Sequence, residues 1–153
     1  MGAANFYHIT ESPVEEVVRN LLSRAHAQGW RVEMRGRDAG RMDWFDQRLW
    51  GGGDSFLPHG RAGGPHDALQ PILLTTAPGT EPVEAVLSVD GAEVTPEEIA
   101  ARERVWILFD GHDQAALQHA RTQWKALTAA GAQAAYWAEE GGRWEKKAES
   151  GPK

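Results

Sequence analysis

Two cations flank a tryptophan in the segment LQHARTQWKAL, residues 117–127. Arg121 and Lys125 are four residues apart with Trp124 between them, so a helix would place both cations beside the edge of one indole ring. Such a surface can bind an extended acidic peptide that ends in an aromatic residue. The peptide's ring would pack on Trp124, its terminal carboxylate would meet the guanidinium fork of Arg121, and Lys125 would help to neutralise its aspartates. A core tryptophan with a solvated basic edge fits the same residues, and spacing alone favours it.

A second candidate surface lies in the segment WGGGDSFLPHG, residues 50–60. Trp50 precedes three glycines, and Phe56 and Pro58 follow them. Collapse of this loop would bring the aromatic rings together as a rigid apolar patch of the kind that binds a protein partner. An equal alternative is that Phe56 packs the loop onto the protein's own sheet.

The sequence lacks the common phosphate-binding, metal-binding and hydrolase motifs. The glycines at 51–53 follow a predicted helix, and the first lysine of the chain is Lys125, so neither a dinucleotide fingerprint nor a triphosphate-binding loop fits. There is no cysteine, and the six histidines form no metal-binding pair of helical spacing. No serine stands in a G-x-S-x-G elbow. We therefore expect no cofactor and no metal.

Asp110 is the remaining candidate for catalysis. It follows a very hydrophobic predicted strand, where an α/β enzyme can place an acid. A small nucleotide- or phosphoester-processing enzyme that uses Asp110 is therefore the competing functional class. In its DGHD context the same residue suits a helix-capping turn equally well.

The elements that must position these residues alternate along the chain. Strands are predicted at residues 5–9, 30–34, 71–75, 83–89, 105–109 and 134–137. Helices are predicted after Ser12, with Glu15 completing a capping box, after Asp38, after Thr95, and from Asp113 to Ala130. This alternation favours a parallel sheet with helices on both faces. Residues 51–71 are predicted as a long loop, and the polar residues from Glu145 onward as a frayed tail.

Length and charge narrow the classes of function. The 153 residues, 41% of them hydrophobic, suit one domain, and a net charge of −6 argues against strong direct binding to DNA. A direct single-strand binder is therefore a third and weaker possibility. The opening residues show no signal-peptide pattern, and we expect a soluble intracellular protein.

Four segments together resemble one known family. FYHI near the N-terminus, AHAQGWRV at the end of the first helix, DQRLWGGGDSFLPHG and PILLT occur in the order found in the chi subunit of bacterial DNA polymerase III. The most specific feature is LW followed shortly by SFLPH, and the resemblance runs from about Asn5 to Trp137. It implies a three-layer α/β/α sandwich with a mainly parallel five-stranded sheet and Rossmann-like topology. It also implies one domain over residues 1–144 and a flexible tail over 145–153.

The resemblance further implies a non-catalytic accessory subunit of the replicative polymerase, cytoplasmic and located at replication forks. In the family, chi joins the clamp loader to single-stranded DNA-binding protein by binding the acidic C-terminal tail of that protein. Arg121, Trp124 and Lys125 match the tail site, in which the aromatic residue is commonly tyrosine, and Leu117 stands where a basic residue is usual.

The resemblance also implies a second binding face. Trp50, Phe56 and Pro58 match the loop that binds the psi subunit of the clamp loader. Not every bacterium with chi has a recognisable psi, so another clamp-loader component or a helicase is an alternative partner for this loop.

Overall fold

A computed structural model describes residues 2–50, 58–63, 67, 70–79 and 82–150. Within these ranges the strands are β1 (Ala3–Ile9), β2 (Val32–Arg35), β3 (Gly60–Arg61), β4 (Ile72–Thr75), β5 (Ala85–Ser88), β6 (Arg104–Asp110), β7 (Ala134–Glu140) and β8 (Arg143–Ser150). The helices are α1 (Val14–Ala27), α2 (Ala39–Trp50), α3 (Pro96–Ala101) and α4 (Gln114–Ala129). No helix of these ranges is both long and apolar enough to cross a membrane.

All the described strands belong to one sheet, in the order β3-β4-β2-β5-β6-β1-β7-β8. Neighbouring strands are parallel except for β7 and β8, which are antiparallel. The predicted α/β class with a mainly parallel sheet is confirmed. The predicted five strands are wrong, because the described part of the sheet has eight. This order does not by itself establish the Rossmann-like topology that the resemblance implies.

The predicted tail from Glu145 onward is also wrong as far as Ser150, because these residues continue strand β8. The strand pairs with β7 through the backbone, and exposed charged side chains lie across the two strands. The Lys147 ammonium lies 2.6 Å from the Glu140 carboxylate, and the Lys146 ammonium lies 5.5 Å from the centre of the Trp137 ring. The predicted boundary between residues 144 and 145 therefore falls inside β8, and residues 151–153 lie outside the described residues.

Helices pack on both faces of the sheet and enclose a separate core on each face. Side chains alternate along a strand, so β1 directs Ile9 into the core under α1 and α2 and Phe6 into the core under α3 and α4. The helices α2 and α4, which carry the two candidate surfaces, therefore lie on opposite faces.

Two of the three predicted caps, at Asp38 and Thr95, are present, and the fourth helix starts next to Asp113, as predicted. Thr95 and Glu98 form the capping box of α3, Asp113 accepts the backbone N–H groups of Ala115 and Ala116 at the start of α4, and the Asp38 carboxylate accepts that of Arg41. The prediction for α1 is wrong. Pro13 is the N-cap and makes no side-chain cap, because the hydroxyl of Ser12 donates instead to the Glu139 carboxylate at 2.5 Å.

Candidate functional site

Helix α4 places the predicted tail-site residues at the edge of its buried face. Ala120, Gln123 and Leu127 are buried against the sheet. Trp124 is half-buried, and the side chains of Arg121 and Lys125 on either side of it are exposed. The structure therefore brings the three predicted residues together on one helix edge.

The Trp124 ring belongs partly to the core. Its centre lies 5.3 Å from that of Phe6 and 5.9 Å from that of Tyr136, and both rings meet it edge to face at 75° and 86°. Such geometry is favourable for aromatic pairs. A half-buried ring between two exposed cations fits the interpretation of a core tryptophan with a solvated basic edge, and binding of a peptide there stays a prediction.

Neither cation of this site is neutralised within the described part of the chain. The Arg121 and Lys125 side chains form no hydrogen bond or ion pair with described residues. In a protein of net charge −6, these cations mark a local reversal of sign that suits an acidic ligand.

Two residues that the sequence analysis missed, Tyr136 and His8, lie beside Trp124: the Tyr136 ring contacts the indole, and His8 contacts Tyr136. The hydroxyl of Tyr136 lies 3.1 Å from Nδ1 of His8. Burial raises the pKa of Tyr136, although the charge of Arg121 opposes that rise. Burial also lowers the pKa of His8, and the charge of Arg121 lowers it further, so His8 is neutral at pH 7.

A signal for Tyr136 was present in the sequence. It lies two residues after Ala134 in a predicted strand, and alternation puts both side chains on the same face, the one that α4 covers. Leu117, at the position that is usually basic, is half-buried and packs against this core together with Trp124. The candidate site therefore has an apolar side chain at the position where the resemblance led us to expect a cation.

The second candidate surface is described only in part. Trp50 ends α2 with 52% of its surface exposed, and its ring lies on the buried His59 ring with 4.2 Å between centres. The Nε2 of His59 lies 3.1 Å from the main-chain oxygen of Asp46, so the ring beneath Trp50 is fixed. Pro58 is half-buried. Phe56 lies outside the described residues, and its packing against Trp50 stays a prediction.

Asp110 lies at the rim of a cavity of about 680 Å³ beyond the carboxyl ends of β1, β5 and β6. Its exposed carboxylate accepts the backbone N–H of His112 at 2.9 Å. This bond is the one expected if Asp110 serves in a turn. The cavity wall also carries Arg41, which is paired with Asp90 at 3.0 Å.

The turn between β1 and α1 holds an internal anion. Oε1 of Glu139 accepts the backbone N–H groups of Thr10, Glu11 and Ser12 at 3.1, 3.0 and 3.0 Å. Burial alone would raise the pKa of Glu139, but these hydrogen bonds and that of the Ser12 hydroxyl outweigh it and lower the pKa. Dinucleotide-binding folds use the first such turn to bind phosphate. Here a carboxylate of the protein itself occupies it.

The comparisons with known proteins identify one family. No curated protein matches the chain. The family model described as DNA polymerase III chi subunit, HolC, matches residues 1–135. The match includes all of α4, with Arg121, Trp124 and Lys125, and stops one residue before Tyr136. Because it spans most of the 153 residues, the chain belongs to the DNA polymerase III chi subunit family.

Proposed function

We propose that this accessory replication subunit is non-catalytic and links the clamp-loader complex to single-stranded DNA-binding protein in the cytoplasm. It does so by binding the acidic C-terminal tail of that protein at Arg121, Trp124 and Lys125. The observation that carries the proposal is the half-buried Trp124 ring between two exposed cations that no described carboxylate neutralises.

The chemistry of the surface matches an acidic chain that ends in an aromatic residue. Packing the terminal ring against Trp124 contributes about 2 to 3 kcal/mol, and charge-assisted bonds from Arg121 to the carboxylate contribute about 1.5 to 3 kcal/mol. Ordering the tail costs several kcal/mol, so one isolated contact is about micromolar. Because an oligomeric single-stranded DNA-binding protein presents several tails, avidity compensates for this weak contact.

The clamp-loader side of the proposal uses Trp50 and Pro58, together with Phe56 as predicted from the sequence. The Trp50 ring is exposed but lies on a buried histidine ring, so little side-chain entropy is lost when a partner covers it. The partner is the psi subunit or another component of the clamp loader, with a helicase as the alternative. Since α2 and α4 lie on opposite faces of the sheet, both partners can bind at once.

Two substitutions test the separation of the faces. We expect Arg121→Ala to weaken binding of a synthetic tail peptide at least tenfold, because it removes the guanidinium fork. It should leave capture of the clamp-loader partner unchanged. Trp50→Ala should do the reverse. Calorimetry with the peptide and pull-down with the purified partner measure the two effects.

Arg24→Ala is the matched control, because Arg24 is an exposed helical arginine on the α1 face. It should change neither interaction. Tail affinity that is the same in Arg121→Ala and in the wild type would remove Arg121 from the site. If each substitution weakened both interactions, the faces would not be independent.

A phosphoester-processing enzyme is the second candidate, and the cavity beside Asp110 favours it. The occupied turn at Glu139 counts against it, since that turn has no free N–H group at Thr10, Glu11 or Ser12 for a phosphate. Thermal-shift measurements with nucleotides and divalent metals separate the two classes, because an enzyme site responds to them and the accessory role predicts no shift.

A further inference from the structure

We infer that Tyr136 is a further ligand-binding residue of the tail site, where its phenol hydroxyl donates a hydrogen bond to the terminal carboxylate of the tail when His8 is protonated, and that His8 is its positioning residue. The inference rests on the proposed function. It assigns a role to a residue just beyond the part of the chain that the family model matches.

The rings around Tyr136 place it in one aromatic cluster with Trp124 and Phe6. The Tyr136 ring stands edge to face against Trp124 at 5.9 Å and nearly parallel to Phe6, at 14° and 6.4 Å. It is half-buried, so part of it reaches the surface beside α4. Trp124 has no hydroxyl group, and Tyr136 supplies a phenol hydroxyl next to it.

The hydroxyl of Tyr136 lies on the side of its ring that meets Nδ1 of His8. Arg121 lies one helical turn before Trp124, whose ring is 5.9 Å from that of Tyr136, and the charge of Arg121 acts on the pKa values of both Tyr136 and His8. A carboxylate held by the Arg121 fork would therefore lie near the phenol. An O–H donor bonds strongly to an ionised carboxylate.

The position of His8 decides where the phenol proton points. Its Nε2 faces the main chain of Gly111, where an added Cβ would lie 2.2 Å away. The hydrogen bond to this main chain favours the protonated ring, so the ring is the donor in it. Nδ1 of neutral His8 is then an acceptor, and it takes the proton of Tyr136 across 3.1 Å.

Protonation of His8 reverses that hydrogen bond. Nδ1 then donates to the phenol oxygen, and the phenol proton is free to bond to a carboxylate. The charged and titratable groups that act on His8 are Arg121 from α4, and Asp110 and His112 at and after the end of β6. Because the pKa of His8 lies below its usual value, the contribution of Tyr136 to tail binding should grow only as the pH falls below about 6.

The test is a cycle of two proteins and two peptides. Tyr136→Phe keeps the ring and removes only the hydroxyl. One synthetic acidic peptide ends in phenylalanine with a free carboxylate, and the other ends in the corresponding amide. We expect Tyr136→Phe to weaken binding of the carboxylate peptide about tenfold at pH about 5, where the terminal carboxyl is still ionised, with a smaller effect at pH about 8. Binding of the weaker amide peptide should be the same in both proteins.

Tyr7→Phe, on the α1 face, is the matched control and should change the binding of neither peptide.

Each remaining outcome overturns the inference. Equal affinity of wild type and Tyr136→Phe for the carboxylate peptide removes the hydroxyl from the site. An equal loss for both peptides assigns Tyr136 a structural role only. If Arg121→Ala abolishes binding while Tyr136→Phe does not alter it, this inference fails and the proposed function survives. If the wild type binds neither peptide, both fail together.

Discussion

At the scale of single residues, Glu139 links strand β7 to the turn before the first helix. Its carboxylate on β7 receives three backbone N–H groups and the hydroxyl of Ser12. These bonds satisfy groups before α1 that have no helical partner, and they compensate the burial of a charge. These contacts fix the turn that leads into α1, before its N-cap residue Pro13.

We expect Glu139→Gln to lower the free energy of unfolding by about 1 to 3 kcal/mol at neutral pH, because the neutral amide is a weaker acceptor and carries an N–H₂ group of its own. The pKa of Glu139 is lowered in the folded protein, so its stabilisation is present above the unfolded pKa and is lost as the pH falls through the folded pKa. The variant should therefore lose less stability than the wild type on acidification. Denaturant unfolding at several pH values measures both effects.

Two other carboxylates help to interpret that experiment. Glu98, bonded to Arg35 at 2.6 Å, also has a lowered pKa, because its hydrogen bonds outweigh its burial. The free energy of unfolding of Glu139→Gln should therefore still depend on pH, but less strongly than that of the wild type. Glu140→Gln changes the adjacent exposed carboxylate and should have little effect at neutral pH. Equal loss of stability in the two variants would contradict the assigned role of Glu139.

At the scale of elements, the β7–β8 hairpin extends the sheet beyond its parallel part. Trp144 on β8 packs edge to face against Tyr7 of β1, with 5.0 Å between ring centres. Strand β8 ends the order of the described sheet, so only one of its edges is paired. Its lysines and glutamates suit an exposed edge, because they discourage pairing with another chain.

Hydrogen exchange should distinguish this strand from a frayed tail. Since β8 pairs with β7 from Arg143 to Ser150, alternate amides of residues 145–150 should exchange at least tenfold more slowly than in an unstructured peptide. Exchange of all these amides at the free rate would restore the tail that composition predicted. The amides of β6, in the middle of the sheet, serve as the protected reference.

The sequence predicted features that depend on residues close together in the chain, and it did not predict those that depend on contacts between distant segments. The caps at Thr95 and Asp113 involve residues within three positions, so the local pattern reveals them. The grouping of Arg121, Trp124 and Lys125 is likewise a property of one helix. The contact of Tyr136 with His8 depends on β1 and β7 being neighbours in the sheet, and β8 is stabilised by cross-strand pairs. Periodicity along the chain reports neither of these.

At the scale of the whole molecule, the described residues of an acidic protein present a half-buried Trp124 between two exposed cations and, on the opposite face of the sheet, the exposed Trp50. The net charge of −6 opposes binding to naked single-stranded DNA, while the proposed tail site would accept an acidic peptide. This arrangement suits a connector that contacts the DNA only through a protein that coats it.

Binding of this protein to intact and to tail-deleted single-stranded DNA-binding protein, compared by calorimetry, tests the central claim most directly. The account predicts affinity of about micromolar strength for each tail of the intact protein and no measurable binding once the tails are removed. Equal binding to both forms would contradict it.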